Sequence, residues 1–92
     1  MNKVIRALPL AGGYLEVELA DGRRGLFDVT PYMTSEFFVA LKQDDYFRQV
    51  RLFFSGVGWP EGQDLGPDTI AAGLQGLHLA AQPLNENPVE SA

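Results

Sequence analysis

The ten residues 59–68 constrain the fold of this chain more than any other segment. They hold the only tryptophan of the sequence, two prolines, two glycines and three carboxylates. A proline fixes its own φ and favours an extended conformation in the residue before it. The run therefore predicts a strand that ends at Trp59, a stiff connection, and an extended Gly66 ahead of the second proline.

The interior of this run predicts a turn and the start of a helix. Gly62 permits a positive φ, and the Asp64 carboxylate is suited to accept backbone N–H groups and close an Asx-type turn. Pro67 is suited to the first turn of a helix, where its missing N–H costs nothing, and the helix dipole favours Asp68 beside it.

The segments before residue 30 predict three strands in a meander. Residues 3–8 form the first, 14–19 the second and 24–29 the third. Alternate residues of the second strand are apolar and face the core: Leu15, Val17 and Leu19. Asp21-Gly22 predicts a type I′ hairpin turn. Charged side chains are expected to pair across this hairpin, Glu16 or Glu18 with Arg23 or Arg24.

A helical segment and two short strands are predicted next. Thr34 or Ser35 caps a helix that packs Phe37 and Leu41, four residues apart, onto the sheet. Residues 50–54 form a fourth strand, with one face made of Val50, Leu52 and Phe54 and the other of Arg51 and Phe53. Gly56 and Gly58 frame a short fifth strand.

The last third of the sequence predicts a helix and a tail. The helix begins at Pro67 and carries Ile70. Residues 77–79 predict a last short strand or a helix remnant. From Gln82 the composition turns to Pro, Asn, Glu and Ser, which predicts a disordered tail over 82–92.

Together these elements predict one α+β domain over residues 1–81. It has two layers and a mainly antiparallel sheet, built from a three-stranded N-terminal meander, a helical segment, one or two further strands and a helix.

The 59–68 run and several other residues also resemble a known family, over roughly residues 3–74. The chain resembles the bacterial domain-of-unknown-function family numbered 2442 through these residues: Trp59-Pro60, Gly62, Asp64-Leu65, Pro67-Asp68, Asp21-Gly22, Phe27-Asp28-Val29, the Phe37-to-Leu41 segment and Tyr46-Phe47. The resemblance implies a small α+β domain that is often dimeric. In other members it is sometimes joined to a helix-turn-helix domain, and it is often encoded beside another small protein, in an arrangement like a toxin–antitoxin pair. It implies no activity.

The charge balance limits the partners that we expect. Seven basic and twelve acidic side chains give a net charge of −5. Nucleic-acid backbones and anionic membranes are repelled on average, whereas a cationic partner is attracted. The sequence has no apolar run long enough to span a bilayer and no signal-peptide core, so we expect a cytoplasmic protein.

The polar residues do not form a recognisable catalytic or metal-binding pattern. Glu61, Asp64 and Asp68 have the carboxylates that calcium or magnesium prefers, but their roles in a turn and at a helix start explain them without a metal. His78 is the sole histidine and forms no triad or zinc motif. The sequence has no cysteine. We expect no enzyme activity, no metal and no cofactor.

The function predicted is therefore a non-catalytic protein-interaction module, antitoxin-like or regulatory, that forms a homodimer and binds a small basic protein. The predicted binding residues are Phe53, Trp59, Glu61, Asp64 and Asp68. Trp59 suits either the core or an interface, and we favour the core. The alternative is a small-ligand or metabolite site in the 59–68 loop, with the indole as an apolar wall. Direct DNA binding through Arg48 and Arg51 with Lys3 and Arg6 ranks below both.

Overall fold

The structure is a computed structural model that describes residues 1–77 and 82–91. Its strands are β1 (Val4–Leu10), β2 (Tyr14–Leu19), β3 (Arg24–Asp28), β4 (Arg51–Phe53), β5 (Gly56–Gly58), β6 (Asp64–Leu65) and β7 (Val89–Glu90). The α-helices are α1 (Asp44–Phe47) and α2 (Pro67–Ala72), and short 3₁₀ helices span Thr30–Tyr32 and Val39–Lys42. Two antiparallel sheets with short helices confirm the predicted α+β class.

The predicted meander forms most of the first sheet, whose strand order is β3-β2-β1-β7. Alternation places the apolar residues of β2 in the core and leaves its intervening residues half-buried. This hydrophobic period fixes the register, because a shift of one residue would turn every apolar side chain outward.

The β2–β3 hairpin is present, but its predicted type I′ turn is wrong. The Leu19 N–H donates to the Arg23 carbonyl at 2.8 Å, and the Gly22 N–H donates to the Leu19 carbonyl at 2.9 Å. Gly22 has φ +96°, whereas Asp21 is not among the described residues with positive φ. The connection is therefore a three-residue loop with a glycine bulge. The Asp21 carboxylate stabilises this loop because it accepts the Arg23 backbone N–H at 3.1 Å.

The charges of this hairpin pair almost as predicted. The Arg24 guanidinium lies 3.9 Å from both the Glu16 and the Glu18 carboxylate. Arg23 instead forms an ion pair with Asp21 at 2.9 Å. The single Arg24 guanidinium thus serves both carboxylates of β2.

The predicted helix over the Phe37-to-Leu41 segment is reduced to turns and a 3₁₀ helix. The Ser35 hydroxyl accepts the Phe38 N–H at 3.2 Å, which supports its predicted capping role. Leu41 is buried, but the prediction that Phe37 packs onto the sheet beside it is wrong, since 52% of Phe37 is exposed. Phe37 lies in the turns that precede the 3₁₀ helix, so the helical spacing that would put it on the same face as Leu41 is absent.

Both further strands are present, and with β6 they form a second sheet of order β4-β5-β6. Phe53 is exposed as the alternation predicts, but the prediction that Phe54 shares the inner face with Val50 and Leu52 is wrong. Phe54 and Ser55 form the tight turn between β4 and β5 with φ of 45° and 67°. This turn directs the Phe54 ring into solvent.

Residues 82–91, for which the composition predicts a disordered tail, run along the free edge of β1. The Leu84 N–H donates to the Pro9 carbonyl at 2.8 Å, and the Ser91 N–H donates to the Ile5 carbonyl at 3.0 Å. The half-buried side chains of Leu84 and Val89 pack against the core. Packing of these two apolar residues, which stand among polar ones, attaches the segment to the rest of the domain. His78 and Leu79 of the predicted 77–79 element lie outside the described residues.

The core lies between the two sheets and beneath α1 and α2. Its fully buried side chains include Leu15, Leu41, Phe47, Val57 and Ile70. Within the described ranges, no helix reaches the length and apolarity that crossing a membrane requires.

The close approach of the chain at Gly56 generates a stability prediction. A Cβ at this position would lie 2.1 Å from the Leu65 carbonyl oxygen, whereas a Cβ on Gly66 would meet nothing within 4 Å. We expect Gly56→Ala to lower the free energy of unfolding by about 1–3 kcal/mol or more, because backbone must move to make room. Gly66→Ala should stay within about 1 kcal/mol of the wild type. Urea unfolding measures both, and equal stabilities would contradict the observed packing.

The Asp21 turn generates a pH-dependent prediction. The hydrogen bond from the Arg23 backbone N–H, with further help from the Arg23 guanidinium, holds the pKa of Asp21 below its ordinary value. A lowered folded pKa stabilises the protein fully above the unfolded pKa of about 3.9, and this contribution is lost as the pH falls through the folded value. Asp21→Asn should therefore be less stable than the wild type at neutral pH, and the difference should shrink as the pH falls below the unfolded pKa. Urea midpoints over a pH series test this, with Glu36→Gln as the exposed-carboxylate control. A difference that does not change with pH would refute the role of this charge.

Candidate functional site

The run that dominates the sequence folds into a tight hairpin between β5 and β6. The Trp59 N–H donates to the Gln63 carbonyl at 2.9 Å, and the Gly62 N–H donates to the Trp59 carbonyl at 3.0 Å. Gly62 has φ +105°. The bonding pattern repeats that of the β2–β3 hairpin, and it confirms the predicted stiff turn with a positive φ at Gly62.

Backbone groups close this turn, so the predicted role of Asp64 as turn-closer is wrong. Asp64 lies in β6 with its side chain exposed. Its carboxylate makes no hydrogen bond within the part of the chain that the structure describes. Asp64 is therefore available to groups outside the domain.

Trp59 is a core residue, as favoured from the sequence. Only 5% of it is exposed. Its indole Nε1–H donates to the Phe47 carbonyl at 2.9 Å, and the two rings pack with centroids 5.6 Å apart. The indole thus joins the hairpin to α1 and has almost no exposed surface.

A buried glutamine and a tyrosine position the hairpin, and the sequence assigned neither of them this role. Gln63 is 1% exposed. The Tyr46 hydroxyl donates to Gln63 Oε1 at 2.7 Å and accepts the Glu61 backbone N–H at 2.8 Å, while Gln63 Nε2 donates to the Phe37 carbonyl at 2.8 Å. The partners lie 17 and 26 residues from Gln63 in sequence, so no local pattern reveals the network.

The helix after the hairpin begins as predicted. Gly66 is extended, with φ −73° and ψ 161°, and Pro67 opens α2. The Asp68 carboxylate accepts a hydrogen bond from the Asn2 side-chain amide at 2.9 Å. Asp68 therefore holds the first residues of the chain to α2, a role different from the binding role predicted for it.

A cleft of about 380 Å³ lies over Gly58, beside the hairpin. Its lining includes Arg51, Phe53, Gly58, Trp59, Pro60 and Gln63. The strand register aligns Arg51, Gly58 and Asp64 across β4, β5 and β6. Residues directly opposite one another in antiparallel strands point to the same side, so these three share the outer face of the second sheet.

Phe53 lines the cleft, and two further aromatic rings lie next to residues of its lining. The Phe53 side chain leans over Gly58, where a Cβ would lie 3.2 Å from the Phe53 Cβ. The Phe54 ring packs edge-on against Phe53, with centroids 4.5 Å apart. At the hairpin end, a Cβ on Gly62 would lie 3.5 Å from Phe37 Cζ. We call these three rings, Phe37, Phe53 and Phe54, the aromatic border.

The charges beside the cleft have no ion-pair partners within the described residues. Glu61 at the hairpin tip, Asp64 on β6 and Arg51 on β4 are all exposed, and no ion pair forms to any of them in the described ranges. The structure thus brings four of the predicted binding residues to the hairpin and the outer face: Phe53, Trp59, Glu61 and Asp64. The described residues contain no cluster of three His, Cys, Asp or Glu side chains that could hold a metal ion.

Comparisons with known proteins give a family match. The model of a family described as "Protein of unknown function (DUF2442)" matches residues 4–76. The matched range exceeds half of the 92-residue chain and contains β1 to β6 and both α-helices. No curated protein and no solved structure matches the chain.

The hairpin network generates a test of its own. Tyr46→Phe removes the hydroxyl that serves both Gln63 Oε1 and the Glu61 N–H, and leaves a buried amide oxygen without its donor. We expect a loss of about 1–3 kcal/mol in the free energy of unfolding, measured by urea titration. Tyr32→Phe is the matched control, because the Tyr32 hydroxyl makes no hydrogen bond within the described residues. Equal losses in both variants would contradict the network.

Proposed function

Since the chain belongs to the DUF2442 family, whose description assigns no activity, we propose a function from its surface. The protein is a non-catalytic protein-interaction module, antitoxin-like or regulatory, that docks a small basic protein on the outer face of β4 to β6. The observation that carries the proposal is the aromatic border around the cleft.

The rings of the aromatic border are exposed to solvent. This exposure costs free energy as long as no partner covers the rings. Phe37, Phe53 and Phe54 are 52%, 45% and 86% exposed. Contiguous exposed apolar patches of soluble proteins mark sites of association, and aromatic residues are enriched among the side chains that dominate binding energy.

The hairpin beneath this surface is already fixed. The Trp59 indole and the Gln63 amide have partners in the interior, and the turn is closed by its own backbone bonds. A partner that docks here orders little additional chain, so less of its contact energy is lost as conformational entropy.

The charge around the cleft favours a basic partner. Among the described residues beside the cleft, the exposed carboxylates of Glu61 and Asp64 outnumber the one exposed cation, Arg51. Excess carboxylates attract a basic protein during encounter and can pair with its lysines and arginines. Exposed phenylalanine faces beside them also attract cations.

The proposal includes a homodimer. A domain of 92 residues buries a limited share of its surface, and association of two copies adds stability through mass action. The same chain then has two protein contacts, one with its own copy and one with a basic partner.

A second candidate function rests on the cleft itself. Its volume of about 380 Å³ falls within the ~300–1,000 Å³ typical of small-ligand sites. The indole offers such a ligand little surface, because Trp59 is 5% exposed and its N–H is bonded to Phe47. A thermal-shift screen of metabolites and metals decides this candidate, since a native-state ligand raises the midpoint.

The basic-partner proposal predicts a specific capture experiment. Tagged protein incubated with nuclease-treated lysate of its own host should retain one small basic protein in a stoichiometric amount, and high salt should release it. Phe53→Ser should reduce the retained amount by about tenfold or more, because exposed aromatic anchors dominate such interfaces.

The matched control is Tyr32→Ser, which removes an exposed aromatic ring that stacks on Phe27 of the other sheet. It should retain the partner. Retention that is equal in Phe53→Ser and wild type, or absence of any retained basic protein, would refute the proposal.

A further inference from the structure

The outer edge of β1 is a backbone edge that another part of the same chain occupies. Residues 82–91, which we call the edge segment, lie along it: Val89 pairs with Ala7, and Pro83 forms a bridge with Leu10. We infer that this edge is a strand-addition site for an extended polypeptide of a partner protein, and that the edge segment is its occupant within the chain. This site is independent of the proposed function, because it lies on the first sheet and uses no residue of the aromatic border.

The outer edge of β1 presents the backbone groups that an added strand requires. Alternate residues of a strand direct their N–H and C=O groups to the same side. The Ile5 and Pro9 carbonyls accept N–H groups of the edge segment at 3.0 and 2.8 Å, and the Ala11 N–H donates to one of its carbonyls at 2.8 Å. Pro9 has no N–H to donate on this side, and proline within a sheet is confined to edge positions. The meander therefore ends at β1 with an edge that accepts a strand.

The meander holds β1 in place without help from the edge segment. Val4, Ala7 and Leu10 of β1 are buried, and the strand pairs with β2 along its whole length. The family match ends at residue 76, so the shared domain includes β1 and its two neighbours in the meander but not the edge segment. A strand that adds to β1 thus meets an edge that is already ordered, which reduces the entropy lost on binding.

The edge segment is attached by few contacts. None of residues 82–91 is buried. Leu84 and Val89 are half-buried against the core, and the Asn85 side-chain amide donates to the Arg48 carbonyl at 2.9 Å. Ordering ten residues costs conformational entropy in proportion to their number, and two half-buried apolar side chains offset only part of it.

The pairing of the edge segment with β1 is also interrupted. The pairs Leu10–Pro83 and Ala7–Val89 are separated by two residues in β1 but by five residues in the edge segment. The middle of the segment therefore bends away and adds no pairs to the ladder. A segment with few buried groups and a broken ladder opens at a lower free energy than the strands inside the sheet.

The edge segment shows which chemistry the site selects. It places two apolar side chains, Leu84 and Val89, against the core. The Glu90 carboxylate that follows lies 4.0 Å from Arg6 Nε. Main-chain hydrogen bonds give affinity to an added strand, and the side chains at fixed positions give specificity. The partner strand is therefore extended, with two apolar residues spaced as in the edge segment and a carboxylate after the second.

The edge segment competes with such a partner. Because both belong to one chain, the segment acts on β1 at a high effective concentration. A free strand binds only the fraction of molecules in which the segment has opened, so its apparent affinity is reduced by that fraction. The wild-type protein should accordingly bind a free strand weakly, and a chain with a weakened edge segment should bind it better.

Hydrogen exchange of the wild-type full chain tests the opening directly. Ala7 and Ala11 direct their N–H groups to the edge segment, whereas Arg6 and Leu8 direct theirs to β2. After correction for intrinsic rates, the first pair should exchange at least about tenfold faster than the second, because only the edge segment has to leave. Equal protection of the two pairs overturns the inference.

A peptide titration tests the site itself. The probe is a synthetic peptide of residues 82–91, added to the isotope-labelled full chain and followed by NMR. The double variant Leu84→Ser/Val89→Ser should bind it with a dissociation constant at least about tenfold lower than the wild type does, with shift changes at Ala7 and Ala11. A peptide that carries the same two substitutions should not bind up to about 1 mM.

The matched control is the double variant Glu86→Ser/Asn87→Ser, which changes two exposed residues of the same segment. It should exclude the peptide as the wild type does. Thermal unfolding verifies the fold of each variant, and the exchange measurement needs no variant.

Four results of the titration overturn the inference. The folded Leu84→Ser/Val89→Ser variant binds no peptide up to about 1 mM, or it binds both peptides equally. Alternatively, it self-associates in sedimentation and excludes the peptide, so that a second copy takes the edge. Finally, it fails to fold, which shows that the edge segment is an integral part of the core. None of these results depends on capture of a basic protein, so they are distinguishable from failure of the proposed function.

Discussion

The buried Trp59 indole is the contact on which the arrangement of the second sheet depends. Its N–H is bonded to the Phe47 carbonyl at the end of α1, and its ring packs on Phe47 itself. One side chain therefore fixes the hairpin to the helical segment by both a hydrogen bond and apolar burial. Burying the indole without a hydrogen-bond partner for its N–H would cost free energy. The hairpin is therefore favoured in the one position where the Phe47 carbonyl accepts this N–H.

The second sheet packs only its inward-facing side chains into the core, which explains why its outer face is uncovered. Alternation along β4 to β6 directs Leu52, Val57 and Leu65 into the core and leaves Arg51, Phe53 and Asp64 outside. The polar groups of Gln63 are satisfied in the interior. The outer face thus carries apolar rings and charges that fold stability does not use, and these are the groups that a protein contact can use.

The fold was largely predictable where local chemistry decides it. Strand alternation in β2, the glycine of each hairpin and the proline at the start of α2 are constraints within a few residues, and the structure confirms them. The predictions that were wrong concern segments in which several local backbone conformations are similar in energy. Asp21-Gly22 suits a two-residue or a three-residue loop, and the Phe37-to-Leu41 segment suits an α-helix or a 3₁₀ helix. The packing of the rest of the chain selects between them.

The sequence by itself determined the class, the meander, the stiff hairpin and the exposure of Phe53, because hydrophobic period and φ restrictions act between near neighbours. Only the tertiary structure decided that Gln63 and Tyr46 hold the hairpin, that Asp64 faces solvent, and that residues 82–91 lie along β1. Each of these depends on groups distant in sequence that meet only when the sheets close on a shared core. Such contacts follow from the position of the whole backbone, and no spacing of residue types encodes them.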